Sequence, residues 1–434
     1  MKRVLAVILV LTLVLAGIAL GQIRITFWHA MSGARLQAIE DLVNGFNAEN
    51  PDIRVEAMFT GTYAETITKA VANYRAGNPP HIVQVYEVGL QTMLDSGAIY
   101  PVYEIAGPDY DWGDVIGPIS SYYTVDGLLY SMPFNSSTAI LYYNKDIFEK
   151  AGLDPKKPPT TFQELYDCSM QIINSGAAPG GVSFGWPAWI FEQMHAYHNQ
   201  FYANNDNGRS ALATEVLFNG EFGVKVMAEW IKWAQDGVFV YGGREYSANQ
   251  GFLTGQVAML IQSTSSVASI ERAADFEVGT TFLPRLPGYP IGNSVIGGAT
   301  LWVMKGHSDE VYDAIWRFLQ YTMRTDVTKQ WHKDTGYFPA TNTAVKELLD
   351  EGWFSENPNH LTAFLQILTG TRGEAAQGVR LGNFVAIRDV VDSAVERAVQ
   401  YRGTDYEKEA KRILDDAVRT SNRLLSEYIS LYGQ

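Results

Sequence analysis

The sequence predicts an α/β fold with two lobes, and three observations support this prediction. Segments with the apolar alternation of a strand and segments with the apolar spacing of a helix follow one another along the chain. The chain has 434 residues, of which 47% are hydrophobic, and this is enough to form two cores. It contains no Pro-rich or low-complexity linker. We therefore expect several short hinge crossings between the lobes, and such joints allow hinge closure.

The first elements of the predicted fold follow the order β-α-β-α-β, which is typical of a lobe with a largely parallel sheet. Ile23, Ile25 and Phe27 alternate with more polar neighbours, as in a strand. A helix with apolar residues at helical spacing follows, and Pro51 ends it. The next three elements are a strand at 53–57, a helix at 63–75 and a buried strand at 81–85.

Further elements are predicted downstream. Thr161 and Glu164 form a capping box, which predicts a helix beginning at Phe162. The last long helical stretch has a break near Gly403. The other predicted elements are helices at 222–233, 311–321 and 390–428 and a strand at 301–304.

The first residues predict a secretory signal peptide. A basic start that includes Lys2 and Arg3 precedes an uncharged apolar run, and Ala19 and Gly21 place small residues at the −3 and −1 positions of a cleavage site before Gln22. The alternative is a membrane-spanning helix, but the run is near the short limit for a span. Residues 1–21 are therefore expected to be removed, which predicts a periplasmic or extracellular protein.

Composition excludes several classes of site and partner. The net charge of −14 disfavours nucleic acid and anionic membranes as partners. Cys168 is the only cysteine, so the chain forms neither an intramolecular disulfide nor a thiolate metal cluster. We expect no cofactor and no metal.

Five segments of the chain together carry a family resemblance. In order, they are Ile25–His29, Phe46–Val55, Tyr142–Phe148, Gly251–Met259 and Leu301–Met304. They resemble the extracytoplasmic solute-binding proteins of bacterial ABC importers, of the carbohydrate type (family 1). The resemblance implies the two-lobe fold of periplasmic binding proteins, with a ligand cleft between lobes joined by several hinge crossings.

A second set of motifs is similar to the subfamily of sn-glycerol-3-phosphate-binding proteins, which also take up glycerophosphodiesters such as glycerophosphocholine. The sequence departs from that subfamily at Thr62, where asparagine is common, and at 369–378, where a Pro-rich loop is usual. Both departures affect the rim of the expected pocket more than its floor. The matching motifs are Gln84–Gly89, Pro133–Thr138, Ile296–Ala299, Thr335–Tyr337 and Arg380–Asn383.

The resemblance implies nine ligand-binding residues and a role for each. Arg380 is expected to offer a charged fork to the phosphate, and Glu87 to accept from the glycerol hydroxyls. Gly298 lets a backbone N–H approach an oxygen closely. Trp186 and Trp189 form an apolar wall whose π faces suit a choline headgroup. The remaining four supply hydroxyl donors: Tyr63, Ser137, Ser263 and Tyr337.

Structural interpretations of the same residues stay open beside the functional ones. Glu87 also suits a helix N-cap, Arg380 a surface or interlobe ion pair, and Gly298 a β-bulge. Trp186 and Trp189 are compatible with a core position, although a glycine before Trp186 (Gly185) and a proline after it indicate a loop.

Three motifs suggest other site classes, and we assign none of them to function. Gly181–Gly185 matches a nucleophile elbow, but Pro187 follows closely where a helix is needed directly. His195 and His198 share a helix face without a third metal ligand. The run 204–208 weakly resembles a calcium loop and is expected to be a polar turn.

The sequence thus predicts a monomeric binding protein that captures sn-glycerol-3-phosphate or its diesters, delivers them to membrane permease subunits, and is not an enzyme. The alternatives are an oligosaccharide or disaccharide receptor of the same fold and, less favoured, a secreted hydrolase. The expected first lobe holds 22–134 and 265–322, and the second holds 135–264 and 323–434.

Overall fold

Two β-sheets organise residues 21–371 and 373–432, which are the residues that the computed structural model describes. The predicted signal peptide lies outside these residues except for Gly21. Short strands β5 and β6 form a separate hairpin. The strands are β1 (Ile23–His29), β2 (Ile53–Phe59), β3 (Ile82–Tyr86), β4 (Ile99–Tyr100), β5 (Thr124–Val125), β6 (Leu128–Leu129), β7 (Met132–Ser137), β8 (Ala139–Asn144), β9 (Gly180–Phe184), β10 (Val257–Ser263), β11 (Val278–Thr281) and β12 (Gly297–Met304).

The first sheet has the order β2-β1-β3-β12-β4, with β7 paired to β12. Strands β2, β1 and β3 are parallel, as the β-α-β-α-β pattern predicts. Strand β12 is antiparallel to β3, and Ala299 near its start pairs with Tyr86 at the end of β3. The chain re-enters this sheet beside the last residue of β3, so β12 has to run antiparallel to β3.

The second sheet has the order β11-β8-β10-β9, and the chain reaches it at Thr138, the single residue between β7 and β8. Strand β11 lies in this sheet, although the expected boundaries assign it to the first lobe. The chain returns to the first sheet at Gly297, where β12 begins. The helix at 325–335, expected in the second lobe, packs on the helix at 34–49 of the first. We therefore propose that both later boundaries lie further along the chain than expected.

The helices begin and end close to the predicted positions. The capping box of Thr161 and Glu164 is present, with the Thr161 hydroxyl accepting from the Glu164 amide. None of the helices in the described residues combines the length and apolar character needed to cross a membrane. The helices are Ala34–Glu49, Tyr63–Arg75, Leu90–Asp95, Val102–Ala106, Gly117–Tyr123, Lys145–Lys150, Phe162–Asn174, Pro187–Tyr197, Glu221–Gln235, Asn249–Leu253, Val267–Ala273, Asp309–Thr322, Thr325–Thr335, Asn342–Asp350, Trp353–Glu356, Pro358–Thr369, Phe384–Gln400 and Tyr406–Tyr432.

The two long C-terminal helices belong to the second lobe. The predicted break near Gly403 separates Phe384–Gln400 from Tyr406–Tyr432. The first of them packs against the second, against Glu221–Gln235 and against Pro187–Tyr197, which follows β9. It also contacts the short 3₁₀ helix Glu87–Gly89, which follows β3 of the first sheet. The helix Phe384–Gln400 therefore spans the gap between the two sheets.

Candidate functional site

A cavity lies between the two lobes. Eight of the nine sequence-predicted ligand residues line it, all except Arg380. Three further side chains, which sequence reasoning did not select, complete the wall. The lining residues are Tyr63, Tyr86, Glu87, Ser137, Trp186, Trp189, Tyr246, Ser263, Gly298, Tyr337 and Arg388.

Strand ends bring four of these residues together. Glu87 directly follows β3, Ser137 is the last residue of β7 and Ser263 is the last residue of β10. Gly298 is the second residue of β12, and it pairs with the residue before Ser137. Ligands of open α/β folds bind where strands end in this way. The cavity therefore lies where the fold alone would place a site.

The two serines meet at the crossing between the lobes. The Ser263 hydroxyl donates to the Ser137 hydroxyl at 2.9 Å, and lies 2.9 Å from the Ser265 hydroxyl. Ser137 and Ser263 are both almost completely buried. Each hydroxyl rotates to suit its partner, so a ligand oxygen entering the cavity gains donors that already belong to a connected network.

Gly298 has a structural reason to be glycine. Its φ is +91°, and a Cβ there would lie 2.0 Å from the Asn135 carbonyl oxygen. The pairing of β12 with β7 shifts register one residue later, between Ala299 and Thr300. The register shift leaves Phe134 of β7 without a partner in β12, so the irregularity lies beside Gly298 rather than at it. The close approach of the Asn135 carbonyl is what requires glycine here. This requirement is compatible with a ligand contact, because the same lack of a side chain opens the cavity wall.

Two tyrosine hydroxyls of the cavity, those of Tyr63 and Tyr246, are held as neutral donors. Tyr63 stacks on Tyr86 with ring centroids 4.9 Å apart, and the Asn135 side-chain amide donates to its hydroxyl at 3.0 Å. Burial raises the pKa of Tyr63 well above its ordinary value, and nearby Tyr337 and Tyr246 raise it further. Burial likewise raises the pKa of Tyr246. Protonated phenols next to a bound anion donate hydrogen bonds without adding negative charge.

The two tryptophans stand on the second lobe at the start of one helix. Trp186 has a left-handed backbone, with φ of 58°, and Pro187 begins the helix immediately after it. The ring of Trp186 meets Tyr246 edge-on at 5.3 Å. Trp189 is 4% exposed, and its Nε1 has no hydrogen-bond partner among the described residues. Trp186 thus faces the cavity as a partly open wall, while Trp189 is packed more deeply.

Arg380 does not lie at the cavity, and its expected role there needs correction. Its amide donates to the Asn207 carbonyl and its Nε to the Gly208 carbonyl, both at 2.8 Å. Asn205 to Asn207 adopt a left-handed turn that presents these carbonyls. The turn replaces the weak calcium-loop interpretation of the same run. Arg380 therefore stabilises a loop of the second lobe.

Arg388, eight residues further along and in the second turn of the helix Phe384–Gln400, lines the cavity where Arg380 was expected. Its Nη1 lies 2.7 Å from Glu87 Oε1, and its Nη2 lies 2.7 Å from Glu192 Oε2. Its Nε also donates to Glu192 Oε2 at 3.2 Å. Burial alone would lower the pKa of Arg388, but the Glu192 and Glu87 carboxylates outweigh burial and hold it well above the ordinary value. The guanidinium is therefore charged and fixed in direction.

Sequence reasoning missed Arg388 and Glu192, although a signal exists for the arginine. Arg388 lies among Phe384, Ile387 and Val391 on the buried face of its helix. A charged residue on an apolar helix face needs a buried partner. Glu192 gives no comparable signal, because every residue of its helix is buried and no polar face marks it out.

Glu192 is the most deeply buried carboxylate of this group. Its residue is 1% exposed, and its Oε1 has no hydrogen-bond partner among the described residues. Burial raises the pKa of Glu192 to about 6, against the lowering effect of Arg388.

The motifs of other site classes have structural explanations. Ser183 lies inside β9, and its hydroxyl donates to the Val240 carbonyl at 2.7 Å. A helix does begin soon afterwards, at Pro187, but the serine is in the strand rather than at the turn that an elbow needs. The Nδ1 atoms of His195 and His198 pair with carbonyls one turn back. No cluster of three metal-ligating side chains occurs in residues 21–371 and 373–432.

Comparison with known proteins places this fold and cavity in context. Residues 41–362 match the family described as bacterial extracellular solute-binding protein. The chain is 37% identical over 429 residues to the sn-glycerol-3-phosphate-binding periplasmic protein UgpB of Salmonella typhimurium, covering 97% of this chain and 96% of that protein. It is 37% identical over 428 residues to the protein of the same description from Escherichia coli K12, with the same coverage.

Solved structures of low sequence identity share the two-lobe fold. UgpB from Mycobacterium tuberculosis in complex with glycerophosphocholine has a TM-score of 0.77 at 21% identity, covering 93% of this chain and 99% of that one. Maltose-bound MalE3 of T. maritima has a TM-score of 0.75 at 18% identity, covering 91% and 99%. The predicted α/β two-lobe fold is therefore confirmed.

Proposed function

We propose, from the premise that this chain belongs to the family of bacterial extracellular solute-binding proteins, that it captures sn-glycerol-3-phosphate or its diesters outside the cytoplasmic membrane. It then delivers the ligand, as a monomer, to the permease subunits of an ABC importer. The observation that carries the proposal is the interlobe cavity, where one buried arginine faces a set of neutral hydroxyl donors. The 37% identity to periplasmic proteins that bind sn-glycerol-3-phosphate supports the choice of ligand.

The cavity residues divide into hydrogen-bond donors for the phosphate and an acceptor for the glycerol hydroxyls. Arg388 takes the role that the sequence assigned to Arg380 and offers its guanidinium to the phosphate. The hydroxyls of Tyr63, Tyr337 and Ser263 donate to phosphate oxygens. Glu87 accepts from the glycerol hydroxyls, because a carboxylate repels the phosphate. Neutral donors around one shared cation suit a receptor that has to release its ligand.

The cleft is also suited to hinge closure. Glu87 follows a strand of the first sheet, whereas Arg388 stands on a helix of the second lobe, and the two form an ion pair across the cleft. Tyr63 and Trp186 face each other across the same gap. A ligand that touches both lobes favours the closed arrangement by its differential affinity for it.

A thermal-shift experiment tests the choice of ligand. Added at a hundred times its dissociation constant, sn-glycerol-3-phosphate or glycerophosphocholine should increase the free energy of unfolding by about 2.7 kcal/mol. Maltose and trehalose, at the same concentrations, should leave the melting temperature unchanged. A shift with a disaccharide and none with either glycerol phosphate would contradict the ligand while leaving the receptor fold intact.

We further propose that a bound diester leaves the cavity unchanged. Glu87 in the cavity wall and Glu192 behind it are both bound by Arg388, so neither is placed as a free general acid or base. Phosphorus NMR of glycerophosphocholine incubated with the protein should show the starting diester alone. Release of choline or free sn-glycerol-3-phosphate in proportion to protein would indicate a hydrolase.

Trp186→Ala should weaken glycerophosphocholine selectively. The loss of a cation–π contact costs about 0.5–2 kcal/mol, and applies only to a ligand that carries a cation. We therefore expect a roughly 2- to 30-fold loss of affinity for glycerophosphocholine and little change for sn-glycerol-3-phosphate, measured by calorimetry. Trp353→Ala, on a partly buried indole away from the cavity, is the control. Equal losses for both ligands would argue against a choline-facing wall.

A further inference from the structure

The ionised groups around Arg388 carry an excess of negative charge. The guanidinium is in contact with two carboxylates, Glu87 from the first lobe and Glu192 from the second. One positive and two negative charges leave the group with a net charge of −1 when both carboxylates are ionised. This is an unusual arrangement for a cavity that accepts an anion, since a like charge disfavours further ionised groups nearby.

The hydrogen-bond geometry limits what Arg388 can offer to a ligand. A guanidinium has five N–H donors. Nε and Nη2 point at Glu192 Oε2, and Nη1 lies within hydrogen-bond distance of Glu87 Oε1. With Nη1 beside Glu87, two N–H groups, one on each terminal nitrogen, are left for a ligand in the cavity that Arg388 lines.

We propose that Glu192 is a positioning residue that sets the charge of the phosphate group this cavity accepts, favouring a phosphate with one negative charge over one with two. The proposal rests on the function proposed above. A phosphodiester carries one negative charge and matches the two N–H groups that remain. A phosphomonoester is a dianion above pH about 6, and its second charge would lie beside a carboxylate, while the other cation near the cavity tyrosines, Arg35, stacks on the Tyr246 ring and does not line the cavity.

Glu192 performs this role through Arg388 rather than by contact with the ligand. It does not line the cavity, but it binds the guanidinium on the side away from Glu87. Its Oε1 has no hydrogen-bond donor among the described residues, and Arg388 is the cation that binds its other oxygen. The charged or titratable groups that act on Glu192, or on which it acts, are Arg388, Glu87, Arg209, Tyr122 and Tyr202.

Protonation of Glu192 should relax this preference. Burial raises its pKa to about 6, so the carboxyl group is neutral below this pH and charged above it. Arg209, the other cation nearby, donates to three backbone carbonyls and stays charged. Lowering the pH from 8.0 to 5.5 protonates most of the Glu192 carboxylate and, over the same range, most of the dianionic phosphomonoester. Affinity for the monoester should therefore rise as pH falls, whereas affinity for a diester should change little.

The test compares sn-glycerol-3-phosphate with glycerophosphoglycerol, a diester with one negative charge and no cation, by calorimetry at pH 8.0 and 5.5. Glu192→Gln keeps an oxygen that accepts from Arg388 but removes the charge. It should tighten sn-glycerol-3-phosphate about tenfold at pH 8.0, change glycerophosphoglycerol by less than about threefold, and flatten the pH dependence for the monoester. Glu192→Ala removes the acceptor as well, and should weaken both ligands.

Asp389→Asn is the matched control, because it removes one negative charge from an exposed neighbour of Arg388 that pairs with Arg244 instead. It should leave the ratio of the two affinities unchanged. If Glu192→Gln leaves this ratio and its pH dependence as in the unmodified protein, the inference is overturned although the proposed function stands. If the variant does not fold, the unmodified protein provides the test. The inference is overturned if its affinity ratio for the two ligands is the same at pH 8.0 and pH 5.5. Failure of the unmodified protein to bind either ligand overturns the proposed function as well.

Discussion

Arg388→Lys should lower the affinity for sn-glycerol-3-phosphate by about 10- to 150-fold, the equivalent of one charge-assisted hydrogen-bond pair of about 1.5–3 kcal/mol. Lysine keeps the positive charge between Glu87 and Glu192, but it cannot present a planar fork to the phosphate while binding both carboxylates. Calorimetry with sn-glycerol-3-phosphate and glycerophosphocholine measures the loss. Both ligands should be affected, because both carry the phosphate.

Arg380→Lys is the control for this experiment. Arg380 binds backbone carbonyls of the left-handed turn, so its replacement should change affinity by less than about twofold. A larger loss in the Arg380 variant than in the Arg388 variant would restore the original assignment from the sequence. Lysine is chosen at Arg388 because a neutral residue would leave two buried carboxylates without a partner. That would cost about 3–5 kcal/mol of stability and confuse folding with binding.

Gly298→Ala should destabilise the protein by several kcal/mol. A non-glycine residue at φ of +91° costs about 1–3 kcal/mol in backbone strain. The new Cβ would also lie 2.0 Å from the Asn135 carbonyl oxygen, so β7 and β12 would have to separate next to the cavity. Urea unfolding gives the change in the free energy of unfolding, and the melting temperature should fall by several degrees.

Gly288→Ala is a matched control, since Gly288 has φ of +93° and no atom within 4 Å of its ideal Cβ. It reports the backbone cost without the steric clash. The difference between the two variants is therefore the cost of forcing the two strands apart. Equal destabilisation would mean that the close approach at Gly298 is relieved without consequence, and that only its dihedral angle requires glycine.

Local sequence signals were sufficient for most individual elements of the fold. The capping box of Thr161 and Glu164 predicts the helix that begins at Phe162, and alternation in Ile23–His29 predicts β1. These signals depend on residues within a turn or two of one another, so a single stretch of chain contains them. The break near Gly403 was predicted for the same reason.

Assignment of elements to lobes was less successful, because sheet pairing depends on distant residues. Strand β11 pairs with β8, more than a hundred residues earlier in the chain, and nothing within Val278–Thr281 indicates that partner. We therefore propose that the chain returns to the first lobe later than the expected Ser265. The antiparallel direction of β12 has the same origin, since it depends on where the chain re-enters the first sheet.

The residues of the cavity were likewise identified in part from the sequence and in part only from the tertiary structure. Motif resemblance alone selected Tyr63, Glu87 and Gly298, because each lies in a short segment of characteristic order, and the structure brings these segments together. Only the tertiary structure decided which arginine reaches the cavity. Arg380 and Arg388 are eight residues apart on one chain segment, but a helix turns the second toward two buried carboxylates from distant segments. Burial and charge pairing are properties of the folded arrangement, and no single segment of sequence contains them.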